Sequence, residues 1–140
     1  MHPPSAVVTV YHCLCTEICI ATTKHLQTLR KRKLDASAIC KLQLNLARAD
    51  ALLQSVATDA TAIVVRLEDG FEKRYPARCG RCGLMVGYQL DKAQYEDTRS
   101  EMGRREDLMY ILLGAVKTTE EMLKGSPMEL QGESVAVAAG

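Results

Sequence analysis

Four cysteines in two close pairs are the residues best suited to chemistry in this chain. Cys13 and Cys15 are separated by one residue near the start, and Cys79 and Cys82 by two residues in the second half. Cysteine thiolates are preferred zinc ligands, and four of them complete a tetrahedral shell. The two pairs therefore predict a Zn²⁺ site that is filled by protein ligands, which is typical of a structural metal.

The second pair carries the stronger metal-binding signal. Gly80 lies inside it and Gly83 follows it, so the backbone can turn sharply and direct its amides toward the sulfurs. β-like runs before Cys79 and after Gly83 complete the outline of a zinc knuckle. A thioredoxin-like motif would place its second cysteine inside a helix, and no helical pattern follows Cys82. Metal binding is therefore favoured over thiol redox chemistry.

Two other cysteines and a histidine have to be weighed against the two pairs. His12 and Cys19 lie close enough in sequence to the first pair to be alternative ligands. On a strand, however, the His12 side chain is directed away from its neighbours. Cys19 and Cys40 lie among apolar residues, so they are interpreted as small buried side chains. Whether Cys19 competes for the metal stays open at the level of sequence.

No set of residues resembles a catalytic centre. The sequence has no serine in a nucleophile elbow and no glycine-rich loop before a helix start. His12 beside Cys13 is the one pairing of a base with a nucleophile, and zinc binding would occupy that thiol. Glu68 and Glu72 are interpreted as part of a solvated face. A protein that is not an enzyme is predicted.

Length and composition predict one domain over residues 6–124 and a disordered tail over 125–140. Aromatic residues make up only 4% of the chain, so a small core gains from a metal staple. No secretory signal is recognised, and the apolar run 108–116 is too short to span a bilayer. A cytosolic or nuclear protein is expected, in which disulfides do not persist.

Apolar periodicity predicts the elements that position the cysteines. Runs rich in β-branched and aromatic residues predict strands over 6–11, 18–23, 62–67, 71–78, 84–88 and 108–113. Gly70 supplies the tight turn of a hairpin between the third and fourth of these. Pro76 indicates an edge or the end of the fourth. The first and fourth strands lead into the two cysteine pairs.

Residues 36–57 are predicted to form one amphipathic helix with Asp35 as its N-cap. Apolar residues recur there at spacings of three and four: Ile39, Leu42, Leu46, Ala49, Leu53 and Val56. Packing on its own domain is preferred to partner binding, which stays open. The predicted fold class is α+β, a small β-rich, zinc-stapled domain of antiparallel hairpins with one amphipathic helix.

A basic rim near the zinc site supports an alternative function. It would comprise Arg30–Lys33, Lys73, Arg74, Arg78 and Arg81. Zinc knuckles with basic rims bind RNA, but only Tyr75 and Tyr88 are available nearby for base stacking. The net charge of +1 adds no general preference for nucleic acid. A nuclear zinc-knuckle RNA-binding or splicing-associated protein is kept as the alternative.

Several segments, taken together and in order, resemble the STING ER exit protein family. They are Tyr11–Cys15, Leu29, Asp35, Ile39, Asp69–Tyr75, Cys79–Leu84, Tyr88–Gln89 and the strand-like run 108–117. Neither cysteine motif would suffice alone, but the two motifs with the intervening Glu-Lys-Arg-Tyr are specific. Family members usually have proline where this chain has Arg30. The stretch 41–60 is longer and richer in Leu and Ala than the family pattern, and a short Ala/Val tail replaces a charged helical one.

The resemblance implies a non-enzymatic adaptor of the early secretory pathway. Animal members of the family are associated with ER exit of STING, recruitment of a phosphatidylinositol 3-kinase complex, membrane curvature and COPII carriers. The implied partners are trafficking or lipid-kinase proteins, with peripheral membrane association and no transmembrane segment. The implied location is the ER periphery or the nucleus.

Overall fold

The computed structural model describes residues 7–42 and 50–124. Within these residues, ten strands form two antiparallel sheets, and there is one short α-helix. The strands are β1 (Thr9–Cys13), β2 (Ile18–Thr22), β3 (Ala38–Lys41), β4 (Ala51–Leu53), β5 (Val56–Thr58), β6 (Ile63–Leu67), β7 (Gly70–Cys79), β8 (Met85–Leu90), β9 (Leu108–Ile111) and β10 (Val116–Thr118). The helix, α1 (Thr119–Lys124), follows β10 directly.

The first sheet has the strand order β10-β1-β2-β4. β1 and β2 form a hairpin, and Thr16 makes its turn with a φ of 80°. β10 pairs with the other side of β1, where Val116 lies opposite Cys13. This pairing brings the first and last described strands together at the end of β1 that carries the first cysteine pair.

The long strand β7 organises the second sheet, whose order is β3-β9-β8-β7-β5. Its ten residues pair with two shorter strands along one edge. β6 pairs with β7 as far as Arg74, and β5 pairs with it from Ala77 onward. Pro76 lies at the junction of these two ladders, inside the strand and not at its end. A residue that cannot donate a ladder hydrogen bond is tolerated at such a break.

The two sheets share one apolar core. Its largest fully buried side chains come from both sheets and the turn after β2: Tyr11, Ile20, Leu26, Val86, Met109 and Ile111. Gly87 allows β8 and β9 to approach closely, because a Cβ there would lie 2.5 Å from the carbonyl oxygen of Tyr110. With so few large rings, the core is completed by cysteines, and Cys13, Cys19, Cys40 and Cys79 all belong to it.

The α+β fold class and the amphipathic helix over 36–57 are wrong. The described part of that segment holds β3, β4 and β5, while positions 43–49 lie outside the described residues. The protein is β-rich, and the α-helix found in the described ranges is the six-residue α1. Each of the six predicted strands, in contrast, overlaps a strand of the structure.

Local geometry at the start of this segment explains the error. Asp35 accepts hydrogen bonds from the backbone N–H and the hydroxyl of Ser37, at 3.0 and 2.6 Å, and so closes a turn instead of capping a helix. Ala36 has a φ of 60°, which is left-handed and incompatible with a helical start. Ala38 and Cys40 are then buried at alternate positions, the period of a strand. In the described part of the segment, apolar residues at helical spacing lie on separate strands: Ile39 on β3, Leu53 on β4 and Val56 on β5.

Two other predictions meet the limits of the described residues. The disordered tail over 125–140 lies outside them and stays a prediction. Among the helices found in 7–42 and 50–124, none has the length and apolar character needed to cross a membrane.

Candidate metal centre

The fold brings the four paired cysteines together. The sulfur atoms of Cys13, Cys15, Cys79 and Cys82 all lie within 4.8 Å of one another. The Cys13 and Cys82 sulfurs are 3.5 Å apart, and those of Cys15 and Cys79 are 3.6 Å apart. Four sulfurs placed tetrahedrally around zinc at its usual bond length are separated by about 3.8 Å. The cluster therefore has the donor set and the spacing that a metal of this kind requires.

The second half-site is built on the turn between β7 and β8. The N–H of Cys79, at the end of β7, donates to the carbonyl oxygen of Leu84 at 2.8 Å. Gly83 reverses the chain with a φ of 81°, in the region that glycine enters without strain. The N–H of Arg81 points inward to the Cys79 sulfur at 3.4 Å. The sharp turn and the inward amide match what the sequence predicts for this segment, and the amide stabilises negative charge on the sulfur.

The first half-site uses a similar hairpin that is one residue shorter. The N–H of Cys13 donates to the carbonyl oxygen of Glu17, and the N–H of Thr16 donates to that of Cys13, both at 2.8 Å. β1 ends at Cys13, so Cys15 lies in the turn and not on the strand. The two sulfurs converge because the chain curls back, and not because alternate residues share a strand face.

The pKa values of the Cys13 and Cys79 thiols are shifted in opposite directions. Burial raises the pKa of Cys13 to about 12. Burial also opposes ionisation of Cys79, but hydrogen bonds from the backbone N–H groups of Cys82 and Arg81 and from the Cys15 thiol outweigh it and lower the pKa of Cys79 to about 6. One thiolate therefore forms readily, while further negative sulfurs need a positive charge among them. A divalent cation provides that charge.

Ser55 is a supporting residue that the sequence did not indicate. It connects β4 to β5 and adopts a left-handed φ of 49°. Its hydroxyl donates to the carboxylate of Glu17 at 2.7 Å, and its carbonyl oxygen accepts from the N–H of Gly80. A Cβ at position 80 would lie 3.0 Å from that same oxygen, so glycine suits this close approach. One short connection thus contacts both half-sites.

His12 supports the site from behind. It is buried, and its Nδ1 lies 2.9 Å from the carbonyl oxygen of Thr16, which can only accept a hydrogen bond. In the neutral ring, Nε2 is then the acceptor for the Thr119 hydroxyl at 2.8 Å. His12 thus ties the first cysteine turn to α1, and both its nitrogens are engaged there.

The interpretation of Cys19 and Cys40 as buried side chains is confirmed. Both have no exposed surface. Burial raises the pKa of each thiol to about 12, and the charge of Cys79 adds to the shift at Cys19. Neither belongs to the group of four whose sulfurs share one centre.

The solvated-face interpretation of Glu72 is wrong, because only 4% of its surface is exposed. Arg32 forms a two-pronged ion pair with it, and Arg74 donates to it at 2.7 Å. Burial alone would raise the pKa of Glu72, but these two arginines outweigh it and hold that pKa below the usual range. Tyr88 completes the group: its hydroxyl accepts from Arg32 at 2.7 Å and donates to Asp35 at 2.6 Å.

The ionic group engages some of the basic residues on which the RNA-binding alternative depended. Arg32 and Arg74 are directed into the group around Glu72, and Arg78 pairs with Asp59 at 3.1 Å. Tyr88 is fully buried, so it offers no face to a base. The Glu-Lys-Arg-Tyr run therefore has a structural explanation, in which Glu72 and Arg74 face the ionic group.

The fold and the site together define a class of protein: a β-rich domain with a cluster of four cysteines. The family model for the STEEP1 domain, named for the STING ER exit protein, matches residues 2–126. The chain belongs to this family. A search of curated proteins finds no significant match.

Proposed function

We propose that this protein is a non-enzymatic adaptor in ER exit whose fold is held by one structural Zn²⁺ on Cys13, Cys15, Cys79 and Cys82. The observation that carries the metal assignment is that all four sulfurs lie within 4.8 Å of one another. Four protein ligands would fill a tetrahedral zinc shell and leave no open position for a reacting water. The observation that carries the adaptor assignment is the STEEP1 domain match over most of the chain.

The placement of the cysteines supports a structural role for the metal. Cys13 ends a strand of the first sheet, and Cys79 ends a strand of the second. A metal held by both pairs would tie the two sheets together at one end of the shared core. In small domains with such sites, the free energy of metal binding is part of the free energy of folding.

Zinc analysis of the purified full chain tests the metal assignment. We expect one equivalent of zinc, and we expect Cys79→Ser to lose both the metal and the fold. Cys40→Ala is the matched control, since it removes a buried thiol outside the cluster and should keep the metal. A folded, metal-free wild-type chain would contradict the assignment.

Proximity labelling with the intact protein in cells tests the adaptor assignment. Recruitment of partners to ER exit predicts labelling of vesicle-coat or lipid-kinase components. Recovery of splicing or RNA-processing factors alone would overturn the assignment and favour the nuclear alternative. The Cys79→Ser variant serves as the control for labelling that does not depend on the fold.

A further inference from the structure

The outer edge of β6 is an open edge of the second sheet. Within the described ranges, β6 pairs with β7 on one side and with no strand on the other. Alternate residues of such a strand direct unpaired N–H and C=O groups outward, where they can bind another extended segment. The segment reads Ile-Val-Val-Arg-Leu, and all but the arginine are apolar.

The hairpin formed by β6 and β7 exposes large apolar side chains next to this edge. Val64 is 68% exposed and Ile63 is 44% exposed. Phe71, the single phenylalanine of the chain, is 70% exposed on the neighbouring strand. Exposed apolar groups beside unpaired backbone groups are the arrangement that proteins use to bind an added strand.

The same hairpin face is basic as well as apolar. In the register of the pair, Val64 lies opposite Lys73 and Arg66 lies opposite Phe71, so that these four side chains share one face. Lys73 is half exposed and lies 3.7 Å from Asp91. Arg66 forms no ion pair in the part of the chain that the structure describes. An incoming strand would therefore meet an apolar position and an unpaired cation two residues apart.

Charge argues against a second copy of this chain as the occupant. Two β6 strands paired with each other would bring two copies of Arg66 into one ladder, and β6 itself has no acidic side chain to pair with either of them. Like charges across a ladder are destabilising. The acidic residues Glu68 and Asp69 lie in the turn beyond the end of β6, outside the five-residue ladder.

We propose that the outer edge of β6 binds an extended segment of a partner protein as an added strand. The segment carries an acidic residue opposite Arg66 and an apolar residue two positions away, opposite Val64. Backbone hydrogen bonds provide the attraction that is common to all extended segments, and the Arg66 pair selects for acidic ones. The inference rests on the proposed adaptor function and names the surface and the partner chemistry for it.

Titration of the zinc-loaded full chain with two defined peptides tests the proposal. One is a capped peptide with the core Val-Thr-Glu-Thr-Val, in which an apolar residue lies two positions from the glutamate in either strand direction, and the other has lysine in place of glutamate. The acidic peptide is expected to shift the backbone amide NMR signals of residues 63–67 and to protect them from hydrogen exchange. Arg66→Glu should weaken its binding by about two- to tenfold and strengthen binding of the lysine peptide by a similar factor.

Arg99→Glu is the matched control, because it reverses the charge of an exposed arginine remote in sequence from β6. It should leave both affinities unchanged. Equal binding of the two peptides to the wild-type chain would overturn the proposal, as would shifts that lie outside the β6–β7 hairpin or concentration-dependent pairing of β6 without peptide. If neither peptide binds but proximity labelling still recovers trafficking components, β6 is rejected as the docking surface and the adaptor function is retained.

Discussion

The four-cysteine cluster and the ionic group around Glu72 are two polar anchors of this domain. Each joins segments that are distant in sequence: Cys13 meets Cys82 across 69 residues, and Arg32 meets Glu72 across 40. The cluster lies where the ends of β1 and β7 meet, whereas the ionic group fixes the loop before β3 onto β7 and β8. A domain with so few aromatic side chains uses polar anchors at both positions. They differ in the fraction of the fold that depends on each.

Metal removal is expected to have the largest effect. Structural zinc contributes about 10 kcal/mol or more of apparent binding free energy, which is comparable to the entire stability of a small domain. A strong chelator should therefore abolish the β-sheet circular dichroism signal, and added zinc should restore it. Retention of the full signal in metal-free protein would make the ionic group, and not the metal, the main anchor.

Glu72→Gln is expected to destabilise the fold by about 3 kcal/mol, because it leaves Arg32 and Arg74 partly buried without their counter-charge. Urea unfolding of the zinc-loaded protein measures this loss. Glu68→Gln, in the exposed turn of the same hairpin, is the matched control and should cost less than about 0.5 kcal/mol. Similar losses for both variants would mean that the ionic group contributes nothing specific.

Lowering the pH should reduce the contribution of the ionic group to the free energy of unfolding. The pKa of Glu72 is lower in the folded protein than in the unfolded chain. Its contribution is therefore fully present above the unfolded value of about 4.3 and is lost as the pH falls through the folded value. The difference in unfolding free energy between wild type and Glu72→Gln should narrow below that pH. A gap that stays constant from pH 6 to pH 3 would contradict this account.

The smallest effects on stability are expected from substitutions in the two cysteine turns. Thr16 and Gly83 occupy equivalent left-handed positions, with φ of 80° and 81°. Thr16→Gly should stabilise the zinc-loaded protein by up to about 1 kcal/mol, and Gly83→Ala should destabilise it by about 1 kcal/mol. Thermal unfolding measures both. Destabilisation by Thr16→Gly would show that the threonine side chain contributes more than its strained backbone costs.

The sequence indicated the metal cluster because the type and spacing of the cysteines are themselves the signal for metal binding. The second pair, with a glycine inside it and another after it, is typical of a metal-binding turn. The strands were equally accessible, since β-branched runs and the Gly70 turn mark them locally. The ligand assignment itself stays a prediction, supported by the distances between the sulfurs.

The ionic group and the segment 36–57 could not be predicted in the same way. Glu72 alternates with Phe71 and Lys73 on a hairpin, which is also the pattern of a solvated face, and its partner Arg32 lies in a different part of the chain. Ala36 takes a left-handed conformation that its residue type does not favour. The burial of Glu72 and the conformation of Ala36 depend on tertiary contacts, which local sequence patterns do not reveal.

The pairing of β1 with β10 sets a condition on how this protein is made. His12 and Thr119 are separated by 107 residues. At ordinary rates of translation, roughly 5 to 20 s pass between the synthesis of the first and that of the second. In the last part of that interval, after Cys82 and before Val116, all four cysteines have been synthesised while one edge of β1 still lacks its neighbour. If zinc binds as proposed, it can therefore bind before β10 completes the first sheet, and the nascent chain would hold its four thiols together before β10 is added.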